Sequence, residues 1–359
     1  MTILMLIAGL VLLIVGGDLL VRGASSLAAA FGIPSLIIGL TVVAFGTSSP
    51  ELAVSVKSAL GGQADIAVGN VVGSNIFNVL FILGLSALIV PLAVSSQLIR
   101  FDVPLMIGVS CAALLMALDG AIGRFDGLIL LVGLVVWIVL LARLGRDEAA
   151  ASRDAAGPQP SSPPAGGSGL ARHGLNLALI AVGLVLLVFG SRWFVDGAVT
   201  FARWLGVTEL VIGLTVIAAG TSLPEVVTSI MASLRGERDI AVGNVVGSNL
   251  FNILGVLGLS SVISAEGLAV AANALWFDLP IMIAVAVACL PIFFTGARIA
   301  RWEGGLFLAF YFAWTGWLVL TATGHAALSP FNAAMTLFVL PLTAITLAVL
   351  AFRGWQGNH

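Results

Sequence analysis

The sequence predicts an all-α polytopic membrane protein: two inverted-topology five-helix repeats plus one extra C-terminal transmembrane helix. Three observations carry this prediction. The composition is too apolar for a soluble globule, the chain holds eleven long apolar runs, and two nearly identical segments recur with an odd number of runs in each copy.

Of 359 residues, 60% are hydrophobic and 9% charged. An average soluble domain carries roughly a quarter charged residues. Fifteen basic and seventeen acidic side chains cannot solvate a globule of this length, and the mean hydropathy of +1.16 agrees. The net charge of −2 offers no attraction to nucleic acid. Cys111 and Cys289 both lie inside apolar runs, which argues against a disulfide framework or a thiolate metal site. The histidines, at 173, 325 and 359, lie outside the runs, so chemistry needing an intramembrane His has no candidate.

The runs fall at 3–30, 33–60, 66–91, 103–118, 126–143, 175–204, 208–234, 240–263, 276–295, 303–322 and 331–352. They do not alternate, and most reach the roughly 20 residues a bilayer requires, so they are expected to be helices. The first run has no basic segment before it and continues past any plausible cleavage point, so it reads as a span rather than a signal peptide. Residues 146–172, rich in Pro, Gly, Ser and Ala, read as a flexible linker. This divides the chain into a first five-helix repeat (1–145), the linker (146–172), a second repeat (173–323) and an additional C-terminal helix and tail (324–359).

Threading eleven spans puts Arg100, Arg143, Arg146, Arg153, Arg172, Arg235, Arg238, Arg298, Arg301 and Arg353 on one side. The other side receives Lys57, Arg124 and Arg203. The positive-inside rule then predicts a cytoplasmic linker and C-terminus, with the N-terminus outside.

The segment DIAVGNVVGSN occurs at Asp65–Asn75 and again, without a difference, at Asp239–Asn249. GLTVVAFGTSSPE at 39–51 faces GLTVIAAGTSLPE at 213–225, and GLVLLIVGGD at 9–18 faces GLVLLVFGSR at 183–192. Each copy contains five spans, so the second enters the membrane from the opposite side, as in many secondary transporters. Such proteins bind their substrate near the midplane, between the repeats and on broken helices.

Glu51 and Glu225 lie well inside apolar runs. A carboxylate at that depth costs about 2.5–3.5 kcal/mol on insertion scales, which makes a functional role the default. A structural reading would pair each with a buried base. The deep bases Arg22 and Arg192, however, have nearer acidic partners at i,i+4 spacing, Asp18 and Asp196. Thr47 and Ser48 precede Glu51 by four and three positions, and Thr221 and Ser222 stand likewise before Glu225. Pro50 and Pro224 lack an N–H, which frees the carbonyls of Gly46 and Gly220 and should break the helices there. Asn70, Ser74 and Asn78, and their copies Asn244, Ser248 and Asn252, form polar stripes at spacing four. Asn70, Asn75, Asn244 and Asn249 read as glue between helices, and Gly69 and Gly73 as points of close approach. Ser74, Asn78, Ser248 and Asn252 read as ligands. Only oxygen donors are on offer, which selects hard cations, and six to eight oxygens on kinked backbone suit Ca²⁺ better than Mg²⁺.

The paired GTS-x-PE and GN-x-x-GSN-x-x-N segments resemble the two alpha-repeats of the calcium/cation antiporter superfamily, in particular its prokaryotic sodium/calcium exchanger branch. The resemblance covers residues 1–322. It implies exchange of Ca²⁺ for Na⁺ by alternating access, with the first and sixth helices sliding over an eight-helix core. The coordinating positions it implies are Thr47, Ser48, Glu51, Ser74, Asn78, Thr221, Ser222, Glu225, Ser248 and Asn252, joined by backbone carbonyls near Ala44 and Ala218. Some members carry an acid where Asn252 stands; here the centre has two acids and two amides. The expected cargo is Ca²⁺ and Na⁺, with H⁺ as the alternative counter-ion, and no cofactor. Membrane lipid is the expected surrounding, with no obligate protein partner, in an inner membrane. A cation channel fits an inverted repeat less well, and an intramembrane enzyme lacks a motif.

Replacing Glu51 or Glu225 by Gln keeps the shape and removes one of two charges. Each variant should reach the membrane folded and lose Ca²⁺ transport. Wild-type flux of ⁴⁵Ca²⁺ into proteoliposomes in either variant would show that the acid is structural.

Overall fold

The computed structural model describes residues 2–156, 169–294 and 296–357. Helix α1 (Thr2–Phe31) is followed by α2 (Ser35–Thr47) and α3 (Ser49–Leu60), which meet at a bend of 46°. Helices α4 (Ala64–Ile89), α5 (Leu98–Asp119) and α6 (Arg124–Ala156) complete the first half. The second half repeats the order: α7 (Gly169–Trp204), α8 (residues 209–220), α9 (Leu223–Leu234), α10 (Arg238–Ile263), α11 (Ala274–Phe294) and α12 (Arg301–Ala322). Helix α13 (Leu328–Thr346) follows. Among the described residues, nine helices are long and apolar enough to cross a membrane, and the α2–α3 pair makes a tenth span. The remaining expected run, 208–234, is divided at Thr221–Ser222 into α8 and α9. All eleven expected runs are therefore helical.

Two boundaries differ from expectation. The fourth span starts at Leu98 rather than 103, because Arg100 and Asp102 interrupt the apolar run without interrupting the helix. Asp102 is buried, and its Oδ2 accepts a hydrogen bond from Gln97 Nε2 at 3.1 Å. The expected linker at 146–172 overlaps helical backbone at both ends, since α6 runs to Ala156 and α7 starts at Gly169. The alanine-rich stretch 148–156 has strong helix propensity, which overrode its polar character. Residues 157–168 of the expected linker lie outside the described residues.

The direction of the second repeat is written in glycine contacts. Gly9, Gly16 and Gly23 recur every seven residues on α1, as do Gly183, Gly190 and Gly197 on α7. A Cβ added at Gly9 would lie 2.6 Å from Phe194 N, at Gly16 2.8 Å from Gly183 O, and at Gly23 2.9 Å from Asn176 O. As α1 advances, its contacts on α7 retreat. The two equivalent helices therefore run antiparallel, pressed backbone to backbone, as small residues allow in membranes. The short ribbons agree. β1 (Leu92–Ala93) pairs antiparallel with β4 (Arg298–Ile299), and β2 (Ala121–Ile122) with β3 (Leu268–Ala269). Each ribbon joins the loop after the third span of one half to the loop before the last span of the other, which inverted copies bring to one face.

Burial grades from centre to edge. The most apolar stretch of α10 is wholly buried and that of α4 largely so, while that of α12 is mostly half-buried and that of α13 mostly exposed. Large apolar side chains such as Ile3, Val132 and Phe312 cover the outside, as the acyl chains of a bilayer require. The polar stripes of α4 and α10 thus occupy the middle of the bundle.

Gly183→Val should fail to seat. A Cβ there already lies 2.7 Å from Leu20 N, on backbone that cannot swing aside. Overpacking of this kind costs about 1–3 kcal/mol, so a lower thermal midpoint is expected in detergent. An unchanged midpoint would show that α1 and α7 separate freely.

Candidate functional site

Both broken spans open at the predicted place. Ser48 (φ −81°, ψ 9°) ends α2, and Ser222 (φ −89°, ψ 8°) separates α8 from α9. Pro50 and Pro224 follow inside the first turn of α3 and α9, where a missing N–H is harmless. Each carboxylate then sits in that same first turn, facing the positive end of a helix. π-helical turns at Gly39–Val43 and Gly213–Ile217 precede the breaks, and others begin at Asn78 and Asn252. Such turns are frequent at functional sites because they re-aim side chains.

The centre is assembled across the repeats. Ser48 Oγ donates to Glu225 Oε1 at 2.9 Å, and Ser222 Oγ donates to Glu51 Oε1 at 2.7 Å. Ser222 Oγ also lies 3.3 Å from Ser74 Oγ. Both glutamates are 1% exposed. Among the described residues no ion pair reaches either acid. Six buried oxygens of the predicted set have no hydrogen-bond partner: Glu51 Oε2, Glu225 Oε2, Asn78 Oδ1, Asn252 Oδ1, Thr221 Oγ1 and Ser248 Oγ. Unsatisfied oxygens at this density stand in place of the usual near-complete pairing of buried polar groups. Among the described residues no group of three or more His, Cys, Asp or Glu forms, so neutral oxygens must supply most of any coordination shell.

Not every expected ligand is turned to the centre. Thr47 Oγ1 lies 3.1 Å from Val43 O, 3.3 Å from Ala44 O and 3.1 Å from Asn244 Oδ1. The Ala44 carbonyl also accepts the Ser48 N–H at 3.0 Å. Ala218 is exposed. The Gly220 carbonyl, which Pro224 was expected to leave free for a cation, accepts a hydrogen bond from Ser191 Oγ of α7 at 2.7 Å. Asn70 Nδ2 and Asn244 Nδ2 act as the glue expected of them, reaching the Glu51 and Glu225 carbonyls at 3.1 and 3.4 Å. Asn75 and Asn249 do more: each Nδ2 donates to the other's backbone carbonyl at 3.3 Å, tying the repeats together.

Three other expectations are corrected. Gly69 and Gly73 are not points of close approach, since a Cβ there would meet nothing within 4 Å. Arg192 and Asp196 form no ion pair among the described residues. Asp18 does pair with Arg22, at 2.9 Å, but it is also bonded by Arg235 from the turn after α9. Nothing in the sequence marked Ser191 or Arg235, because both act across elements far apart in the chain.

The two halves hold their broken spans differently. α2 is packed on α10: a Cβ at Gly247 would lie 2.5 Å from Leu40 O, and one at Gly243 2.9 Å from Leu36 O. Val43 and Ala44 are fully buried there. The equivalent face of α4, at Gly69 and Gly73, is uncovered, and on α8 Ile217 is 49% exposed. A cavity of about 430 Å³ opens on this side, lined by Ser49, Pro50, Arg192, Asp196, Gly220 and Thr221 among others. On the closed side, α1 is fastened by the Asp18–Arg235 pair and by a hydrogen bond from Ser25 to Glu237.

A family model described as "Sodium/calcium exchanger protein" matches residues 1–143 and 175–320. The chain is 43% identical over 263 residues to "Inner membrane protein YrbG" of Escherichia coli, covering 72% of this chain and 79% of that protein. It is 33% identical over 341 residues to "Sodium/calcium exchanger MaX1" of Methanosarcina acetivorans, covering 86% and 96%. Among solved structures, the sodium-calcium exchanger NCX_Mj soaked with Na⁺ and Ca²⁺ superposes with a TM-score of 0.72 at 30% identity. That match covers 90% of this chain and 98% of the other.

Proposed function

The chain belongs to the sodium/calcium exchanger protein family, and on that premise we propose that it is an antiporter exchanging Ca²⁺ for Na⁺ by alternating access. The observation that carries this reading is the buried pair Glu51 and Glu225, each bonded by a serine of the opposite repeat and each with an unpartnered oxygen. Two carboxylates neutralise one Ca²⁺, and the neutral oxygens of Asn78, Asn252, Ser74, Ser248, Thr221 and the serines extend its shell toward the six to eight that Ca²⁺ takes. Thr47 and the Ala44 and Ala218 carbonyls would join when the broken spans change position.

Three Na⁺ on the same two charges would leave an excess of one positive charge, unfavourable in low dielectric unless one site is neutral or near solvent. The relative named a sodium/calcium exchanger, and the solved exchanger soaked with both ions, support Na⁺ as counter-ion. The unlike seating of α2 and α8 supports alternation: closely similar local sequences hold one gate shut and the other open. With the basic residues in the cytoplasm, the open gate faces outside. We assign the protein to an inner membrane, with an external N-terminus.

Uptake of ⁴⁵Ca²⁺ into proteoliposomes tests the coupling. An outward Na⁺ gradient should drive accumulation at fixed pH, and a pH gradient without Na⁺ should not. Accumulation driven equally by the pH gradient alone would replace Na⁺ by H⁺ as counter-ion, and flux without any trans ion would indicate a channel.

Gly73→Leu tests the gate. Its mirror, Gly247, receives Leu40 backbone, so a large side chain at 73 should keep α8 from closing on α4. The variant should fold and bind Ca²⁺ but lose exchange. Exchange at the wild-type rate would show that α8 does not close there.

A further inference from the structure

We propose that Asn75 and Asn249 are positioning residues that decide which atom Asn252 and Asn78 turn toward the cation. This inference rests on the Ca²⁺ reading of the site. Asn252 Nδ2 donates to Asn75 Oδ1 at 3.0 Å, and Asn78 Nδ2 donates to Asn249 Oδ1 at 3.0 Å. Asn75 and Asn249 cannot turn over to follow. Their own Nδ2 atoms are held by the opposite backbone carbonyls at 3.3 Å and lie 3.6 Å from Met282 Sδ and 3.5 Å from Met106 Sδ, respectively. Four amides thus form a closed set across the repeats, and its two leftover atoms, Asn78 Oδ1 and Asn252 Oδ1, are buried acceptors without partners.

The alternative arrangement explains why such a lock is needed. A side-chain amide carries a donor and an acceptor of nearly the same shape. Beside two buried carboxylates with unpartnered Oε2 atoms, a free amide gains most by donating its N–H₂ to them, because hydrogen bonds to charged groups are the stronger kind. That orientation would neutralise part of the negative charge and present N–H hydrogens to an incoming cation. With Asn75 Oδ1 and Asn249 Oδ1 taking the donors, the site presents oxygen only. The same contact selects the residue at 252. An ionised acid there would face Asn75 Oδ1 acceptor to acceptor, so Asn75 favours the amide. None of this is legible from spacing, since Asn75 and Asn252 come from different repeats and stand at non-equivalent positions of the motif.

The test is equilibrium ⁴⁵Ca²⁺ binding to the purified full-length protein in two double-mutant cycles, with thermal midpoints measured alongside. Asn75→Ala should weaken binding about tenfold, the scale of one hydrogen bond to a critical group. In the Asn252→Ala background, which has no amide to orient, Asn75→Ala should weaken binding no further. In the Asn78→Ala background its effect should persist, because Asn78 is held by Asn249. The mirror cycle, Asn249→Ala with Asn78→Ala, should show the same coupling and carries the test if an Asn75 variant does not fold. Wild-type affinity in Asn75→Ala, or equal losses in the wild-type and Asn252→Ala backgrounds, would overturn the proposal by assigning Asn75 a packing role. A wild-type protein that binds no ⁴⁵Ca²⁺ would instead overturn the Ca²⁺ reading itself.

Discussion

The burial of two carboxylates at the centre of an apolar bundle is the constraint that organises this molecule. Glu51 and Glu225 are removed from water on every side, and in such surroundings a charge persists only where hydrogen bonds and counter-charge compensate it. Each acid takes a hydrogen bond from the serine of the opposite repeat, so each half answers part of the other's charge. The two repeats must therefore meet along these residues. The breaks at Ser48 and Ser222, the π-helical turns and the amide set of α4 and α10 all serve that meeting.

Pseudo-symmetry sets two packings of one motif side by side in this structure. The segments around the two breaks are nearly identical in sequence, yet α2 lies hard against α10 while α8 stands away from α4. Local sequence has no reason to prefer one conformation over the other. The difference lies in neighbouring contacts, and those contacts are not duplicated. Asp18 is tied to Arg235 on the closed side, whereas its counterpart is Arg192 and the positions equivalent to Arg235 and Glu237 are the uncharged Gly61 and Gln63. Two packings of one motif, separated by a few such contacts, make a bistable element of the kind that switching requires.

The glycine seam between α1 and α7 belongs to the same economy. With glycine every seven residues on both helices, their backbones meet at van der Waals contact, and the pair is a single smooth body laid across the core.

Much of this was legible in the chain itself, because membranes restrict what a sequence can do. Eleven apolar runs could only be helices, since a bilayer leaves backbone groups no other partners. An exact repeat of DIAVGNVVGSN with five spans per copy implied inversion, and two acids in apolar runs beside Pro50 and Pro224 marked the breaks and the centre. What the sequence could not settle was how polar atoms divide between ion and protein. Thr47 turns to Asn244, the Gly220 carbonyl is taken by Ser191, and Asn75 bonds Asn252 as well as its own copy, Asn249. Those choices depend on angstrom-scale distances between different helices, two of the three in opposite repeats. Likewise Gly73 and Gly247 occupy like positions in identical motifs, yet one is open and the other packed. Residue type and spacing determined the spans and the inversion; only the tertiary packing decided which broken span is seated on its neighbour and which oxygens remain unpaired, because both depend on contacts that the repeated motif does not contain.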